Sequence, residues 1–145
     1  MIANLIVAFS NFVFISFAQY KNGVHPTLYL PMLASFIYHL AETKHGLPGF
    51  PILRDHAYTL LNVDRFFAAY AGIYMLCQVY NQPSLLTGRM ITIGLLGFVA
   101  LACSEYDTIV KKLFDIDTRV AHPTFVVSHC IWHWCAFRSL SYCIR

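Results

Sequence analysis

Only 12% of the 145 residues are charged, while 58% are hydrophobic and 16% aromatic; a typical soluble domain carries about 25% charge, and this length allows one domain, not two. Lys and Arg exceed Asp and Glu by three and are scattered without a basic run, which excludes nucleic acid as a partner. Five cysteines, an odd number with no CxxC pair, exclude a secreted disulfide framework.

The composition predicts an all-α fold, a polytopic transmembrane helix bundle in a single domain spanning residues 1–145. Five apolar segments can be drawn as spans, at about 2–20, 26–42, 56–80, 85–104 and 123–142, near the roughly 20 residues that a bilayer core requires. Met1 runs straight into the first of them without a basic or Arg-rich leader, so that segment is expected to stay as a span. Pro26 suits the start of the second, and Gly46, Pro48, Gly49 and Pro51 mark a connector after it. The third is interrupted by Asp64 and Arg65. In the fourth, Gly94 and Gly97 offer a small-residue surface for close helix approach. Between residues 105 and 122 the charges Asp107, Lys111, Lys112, Asp115, Asp117 and Arg119 alternate with Ile109, Val110, Leu113, Phe114 and Ile116. That pattern fits a short amphipathic helix at a membrane surface, or a connector between spans. Basic residues are too evenly divided to orient the chain.

Chemistry concentrates in the last segment. His129 and His133 stand at i and i+4, one helical turn apart on one face. Ser35 and His39 repeat that spacing in the second segment. Five antiparallel spans would bring the end of the second and the starts of the third and fifth to one leaflet. Ser35, His39, Asp64, His129 and His133 would then lie roughly 5 to 15 Å below the same surface. Three neutral imidazoles from two helices match the three-ligand open site of a catalytic zinc. A nearby carboxylate, Asp64, could take a proton from water there, and the Ser35 hydroxyl could donate to an oxyanion. The plainer alternatives are a hydrogen-bonded core serine, an Asp64–Arg65 pair, and packing histidines. His25, His45, His56 and His122 fall in turns or at segment ends and read as interfacial residues.

Taken as a set, Ser35-x-x-x-His39, Asp64 and His129-x-x-x-His133 resemble the signature of the CREST superfamily of membrane hydrolases. That superfamily contains alkaline ceramidases, adiponectin/progestin receptors, GPI-remodelling proteins and myomaker. The nearest likeness is to the myomaker-like branch, through Ser10-Asn11-Phe12-Val13-Phe14, Ser35-Phe36-Ile37-Tyr38-His39 with Glu42, and His129-Cys130-Ile131-Trp132-His133. The resemblance implies Zn2+ held by His39, His129 and His133, with Asp64 and Ser35 as catalytic or supporting groups, and cleavage of lipid amide or ester bonds. It also implies seven spans, where this sequence has room for five.

Three functions are therefore expected to compete. One is a zinc-dependent lipid hydrolase, with membrane lipids as partners and an endomembrane location by resemblance. Another is a non-catalytic accessory subunit, with or without the zinc, among other membrane subunits, such as a mitochondrial respiratory or ATP synthase assembly of the inner membrane. The third is a b-haem subunit with His39 and either His129 or His133 as axial ligands. All three place the chain as an integral membrane protein.

Overall fold

The computed structural model describes residues 1–16, 25–114 and 122–144. The described residues form six α-helices: α1 (Ile2–Ser16), α2 (Pro26–Ala41), α3 (Ala57–Asn81), α4 (Gly88–Ser104), α5 (Tyr106–Phe114) and α6 (His122–Cys143). An α-helix runs through most of the described part of each of the five apolar segments, and α5 lies within the stretch with the amphipathic pattern. The first inter-helix turn and the acidic residues Asp115 and Asp117 lie outside the described residues.

Local chemistry sets several boundaries. Pro26 is the first residue of α2, its fixed φ suited to that position, and the His25 side chain accepts a hydrogen bond from Thr27 N–H. The Thr87 hydroxyl accepts from Met90 N–H and caps α4. At the far end of α2, the carbonyls of His39 and Glu42 take hydrogen bonds from Asn4 Nδ2 at 3.0 and 2.8 Å. A buried asparagine on α1 thereby satisfies carbonyls that the ending helix leaves open. In the connector, Gly49 has φ +60°, and a Cβ there would stand 2.7 Å from the Ala41 carbonyl oxygen. Only glycine fits that backbone at that distance.

No described helix is both long and apolar enough to cross a membrane, which corrects the five-span transmembrane bundle and the integral-membrane localisation expected above. The described lengths of α1, α2 and α4 are 15, 16 and 17 residues. At 1.5 Å per residue these reach about 22 to 26 Å, short of a hydrocarbon core of about 30 Å. With 25 and 22 residues, α3 and α6 have the length, but Asn62, Asp64 and Arg65 interrupt the first, and His129, His133 and Arg138 the second. High average hydrophobicity is instead spread over outward faces. Phe66, Tyr70, Ile73 and Leu76 on α3, and Leu95, Phe98 and Val99 on α4, are all exposed.

Among the described residues α3 packs on α2, α2 on α1, α1 on α6 and α6 on α4, with a smaller contact from α3 back to α6. One part of the core gathers Leu28, Met32, Phe137, Leu140 and Ile144; another joins Val7, Leu47 and Phe125. α4 meets α6 tightly at Gly97, where a Cβ would lie 2.8 Å from the Cβ of Cys135. Gly97→Ala is therefore expected to push the two helices apart and to destabilise the protein by about 1–3 kcal/mol, the usual cost of overpacking. Urea denaturation measures it, with Gly94→Ala as the control, since a Cβ at Gly94 meets nothing within 4 Å.

Candidate metal centre

Helix periodicity puts Ser35 and His39 on one face of α2, and His129 and His133 on one face of α6. Packing turns the two faces toward each other. One nitrogen from each of His39, His129 and His133 lies within 4.8 Å of the others. The ring centroids are 4.5 Å (His39–His129), 5.1 Å (His39–His133) and 4.8 Å (His129–His133) apart, all edge to face. Three close, buried imidazoles with converging nitrogens can hold a metal ion. A haem would have to pass between His39 and one of its neighbours, and rings this close leave no room for a porphyrin plate.

Each ring is anchored on its other side. His39 Nδ1 is 2.7 Å from Glu42 Oε2, and the Tyr38 hydroxyl donates to Glu42 Oε1 at 3.0 Å. His129 Nδ1 lies 3.3 Å from Ser104 Oγ on α4. His133 Nδ1 lies 2.7 Å from Ser10 Oγ on α1, and its Nε2 is 3.2 Å from Ser35 Oγ. Burial first, and then the neighbouring imidazoles, push His129 and His133 well below the ordinary histidine value. Both rings are thus neutral at neutral pH, the state a metal ligand needs.

Ser35, His39, Asp64, His129 and His133 all line one cavity of about 700 Å³. Its walls between α3, α4 and α6 are largely apolar and include Leu61, Ala68, Met75, Phe98 and Leu140. Asp64 is partly buried and forms no ion pair with Arg65. Loss of hydration is the main reason its carboxyl is pushed up to about 6; His39 and Arg65 pull it down, and Glu42 adds to the rise. A carboxyl tuned to that range can accept a proton near neutral pH.

Ser10 and Glu42 stand in the motifs that carry the resemblance, but their histidine partners escaped sequence reasoning, and Ser104 escaped it altogether. Ser10 and Ser104 are ordinary hydroxyls in apolar helices, and nothing in their spacing points at a histidine. Glu42, three residues after His39, had the i, i+3 signal for contact. His45 is a correction: its side chain is 1% exposed, it sits against Phe125 with centroids 4.6 Å apart, and it lies 3.9 Å from Glu105. It is a packed residue, not an interfacial one. Its φ of +55° is left-handed, and the contacts made by its ring hold that uncommon conformation.

Beside it, Lys44 Nζ donates to Glu105 Oε2 at 3.1 Å. Burial would raise the Glu105 carboxyl, but His45 and Lys44 outweigh it and hold it down at about 2, against an ordinary 4.5. A depressed carboxyl stabilises the fold above its unfolded value. The contribution is therefore complete above about pH 5 and is lost as pH falls from 4.5 toward 2. Glu105→Gln is expected to lower stability at neutral pH and to flatten the acid limb in that window. Denaturation midpoints measured from pH 2 to 7 check it, and parallel curves for the two proteins exclude it.

Comparison of the chain with protein-family models, with curated proteins and with solved structures returned no match, so the chemistry of this centre rests on its own geometry.

Proposed function

We propose that the chain is a zinc-dependent hydrolase acting on an amide or ester bond of a lipid-like amphiphile, similar in its site to the CREST hydrolases. The observation that carries this reading is the cluster of three buried histidine nitrogens beside an apolar cavity that also holds an acid and a hydroxyl. Imidazole nitrogen donors from His39, His129 and His133 suit zinc, and three protein ligands leave a position open. A zinc ion held there supplies Lewis acidity, polarising a carbonyl and making water acidic near neutral pH. Asp64 takes up the proton that the attacking water releases. The Ser35 hydroxyl donates to the carbonyl oxygen as that oxygen gains charge. Leu61, Ala68, Met75, Phe98 and Leu140 offer apolar surface to the hydrocarbon part of the substrate.

Metal analysis of purified protein, combined with fatty-acid release from N-acyl and ester amphiphiles, tests the proposal. One zinc per chain is expected, and Asp64→Asn should reduce turnover about 10²- to 10⁴-fold while keeping the metal. Protein without stoichiometric zinc overturns the proposal. Zinc-loaded protein that releases no acyl chain favours a second reading, a metal-retaining subunit without catalysis. The wide exposed apolar faces of α3 and α4 suit that second role, and its mark is co-purification with partners at fixed stoichiometry.

A further inference from the structure

We infer that Ser10 and Ser104, together with Glu42, are positioning residues that set all three clustered histidines in the Nδ1–H tautomer. Three Nε2 lone pairs then face one another before any ion arrives, and the Ser35 hydroxyl occupies the His133 lone pair until one does. The use of this arrangement rests on the metal-site reading; the placement of the protons does not.

Heavy-atom distances decide where the protons go. Ser10 Oγ lies 2.7 Å from the Val7 carbonyl oxygen and 2.7 Å from His133 Nδ1. A hydroxyl has one proton, and a carbonyl has none to give. If Ser10 donated to His133, two oxygens would stand 2.7 Å apart with no hydrogen between them. The Ser10 proton therefore goes to Val7, and His133 Nδ1–H donates to Ser10 Oγ. Ser104 repeats the device, with Oγ 2.8 Å from the Leu101 carbonyl oxygen and 3.3 Å from His129 Nδ1. At His39 the partner is a carboxylate oxygen of Glu42 at 2.7 Å, whose other oxygen already accepts the Tyr38 hydroxyl. As a carboxylate it too can only accept.

A neutral imidazole protonated on Nδ1 carries its lone pair on Nε2. All three rings thus turn the same kind of nitrogen inward. His133 Nε2 then has no hydrogen to offer, so the Ser35 hydroxyl, 3.2 Å away, donates to it. With this nitrogen taken by an ion, the Ser35 O–H would lose its acceptor and be free to donate to a substrate oxygen in the cavity. Metal loading and the readiness of Ser35 are in this way one event.

The test uses the whole chain with 15N-labelled histidine. Long-range 1H–15N spectra of the metal-free protein read the tautomer of each ring, and zinc titration reads affinity. Wild-type protein is expected to show Nδ1–H at His39, His129 and His133. Ser10→Ala should release His133 to a mixture of tautomers and weaken zinc binding about 10- to 100-fold, the usual effect of losing a partner behind a metal ligand. Ser10→Thr, which keeps the hydroxyl, should restore both. Nε2–H at His129 or His133 in the wild type overturns the inference, as does a Ser10→Ala protein with unchanged tautomer and affinity. Should Ser10→Ala fail to fold, the wild-type spectrum alone decides. The expected tautomers in a protein that binds no zinc would remove the metal reading and leave the proton pattern standing.

Discussion

Removing the His133 imidazole with His133→Ala is expected to weaken zinc binding more than 100-fold, beyond the roughly 10- to 100-fold that loss of a supporting partner produces. His39 and His129 alone would leave two protein ligands where a stable catalytic site uses three. The groups hydrogen-bonded to His133 do not replace it: they are the Ser10 and Ser35 hydroxyls, and a neutral hydroxyl is a poor substitute for an imidazole nitrogen. His56, exposed at the start of α3, serves as the control, and His56→Gln should bind zinc as the wild type does. Calorimetric titration reads both proteins. Equal affinity for His133→Ala and wild type would mean that the ion, if any, is held elsewhere.

A second large effect is expected in stability. Phe125 is fully buried with Val7 and Leu47, at the junction of α1, the connector and α6. Its ring also faces His45 and His129, with centroids 4.6 and 5.2 Å away. Phe125→Ala deletes that contact and leaves a cavity among helices that cannot all close on it. The expected loss is about 3–5 kcal/mol, a large share of the roughly 5–15 kcal/mol that holds a domain together. The urea midpoint should fall with an unchanged slope, the sign that stability and not compactness has altered. Phe66→Ala, at a position 67% exposed, should stay within about 0.5 kcal/mol. A Phe125→Ala midpoint as mild as that of Phe66→Ala would mean that this junction does not hold the fold.

The helices themselves were legible because their causes are local. Pro26 at a first turn, the polar breaks near residues 42–56 and 82–87, and the amphipathic run after Glu105 each act within a few residues, and the ends of α2, α3 and α4 and the start of α5 lie close to them. The membrane assignment failed because average hydrophobicity does not measure continuous helix length. Segments read as spans are broken early by caps and turns, or carry Asp64, Arg65, His129 and His133 within them. Apolar side chains that seemed to require lipid are divided between two small cores and the outer faces of α3 and α4.

For the centre, the i, i+4 pairs Ser35/His39 and His129/His133 had to share helix faces in any fold that keeps those helices, because 3.6 residues per turn allows nothing else. Which face met which was open until the helices packed. Ser10 and His133 are 123 residues apart in the chain, and Ser104 and His129 are 25 apart. A serine hydroxyl bonded to its own helix carbonyl looks the same in every helix; only a neighbouring helix gives its spare lone pair something to hold. The local repeat therefore selects the candidate ligands, while the contacts between α1, α2, α4 and α6 decide their partners, their tautomers and the point on which they converge.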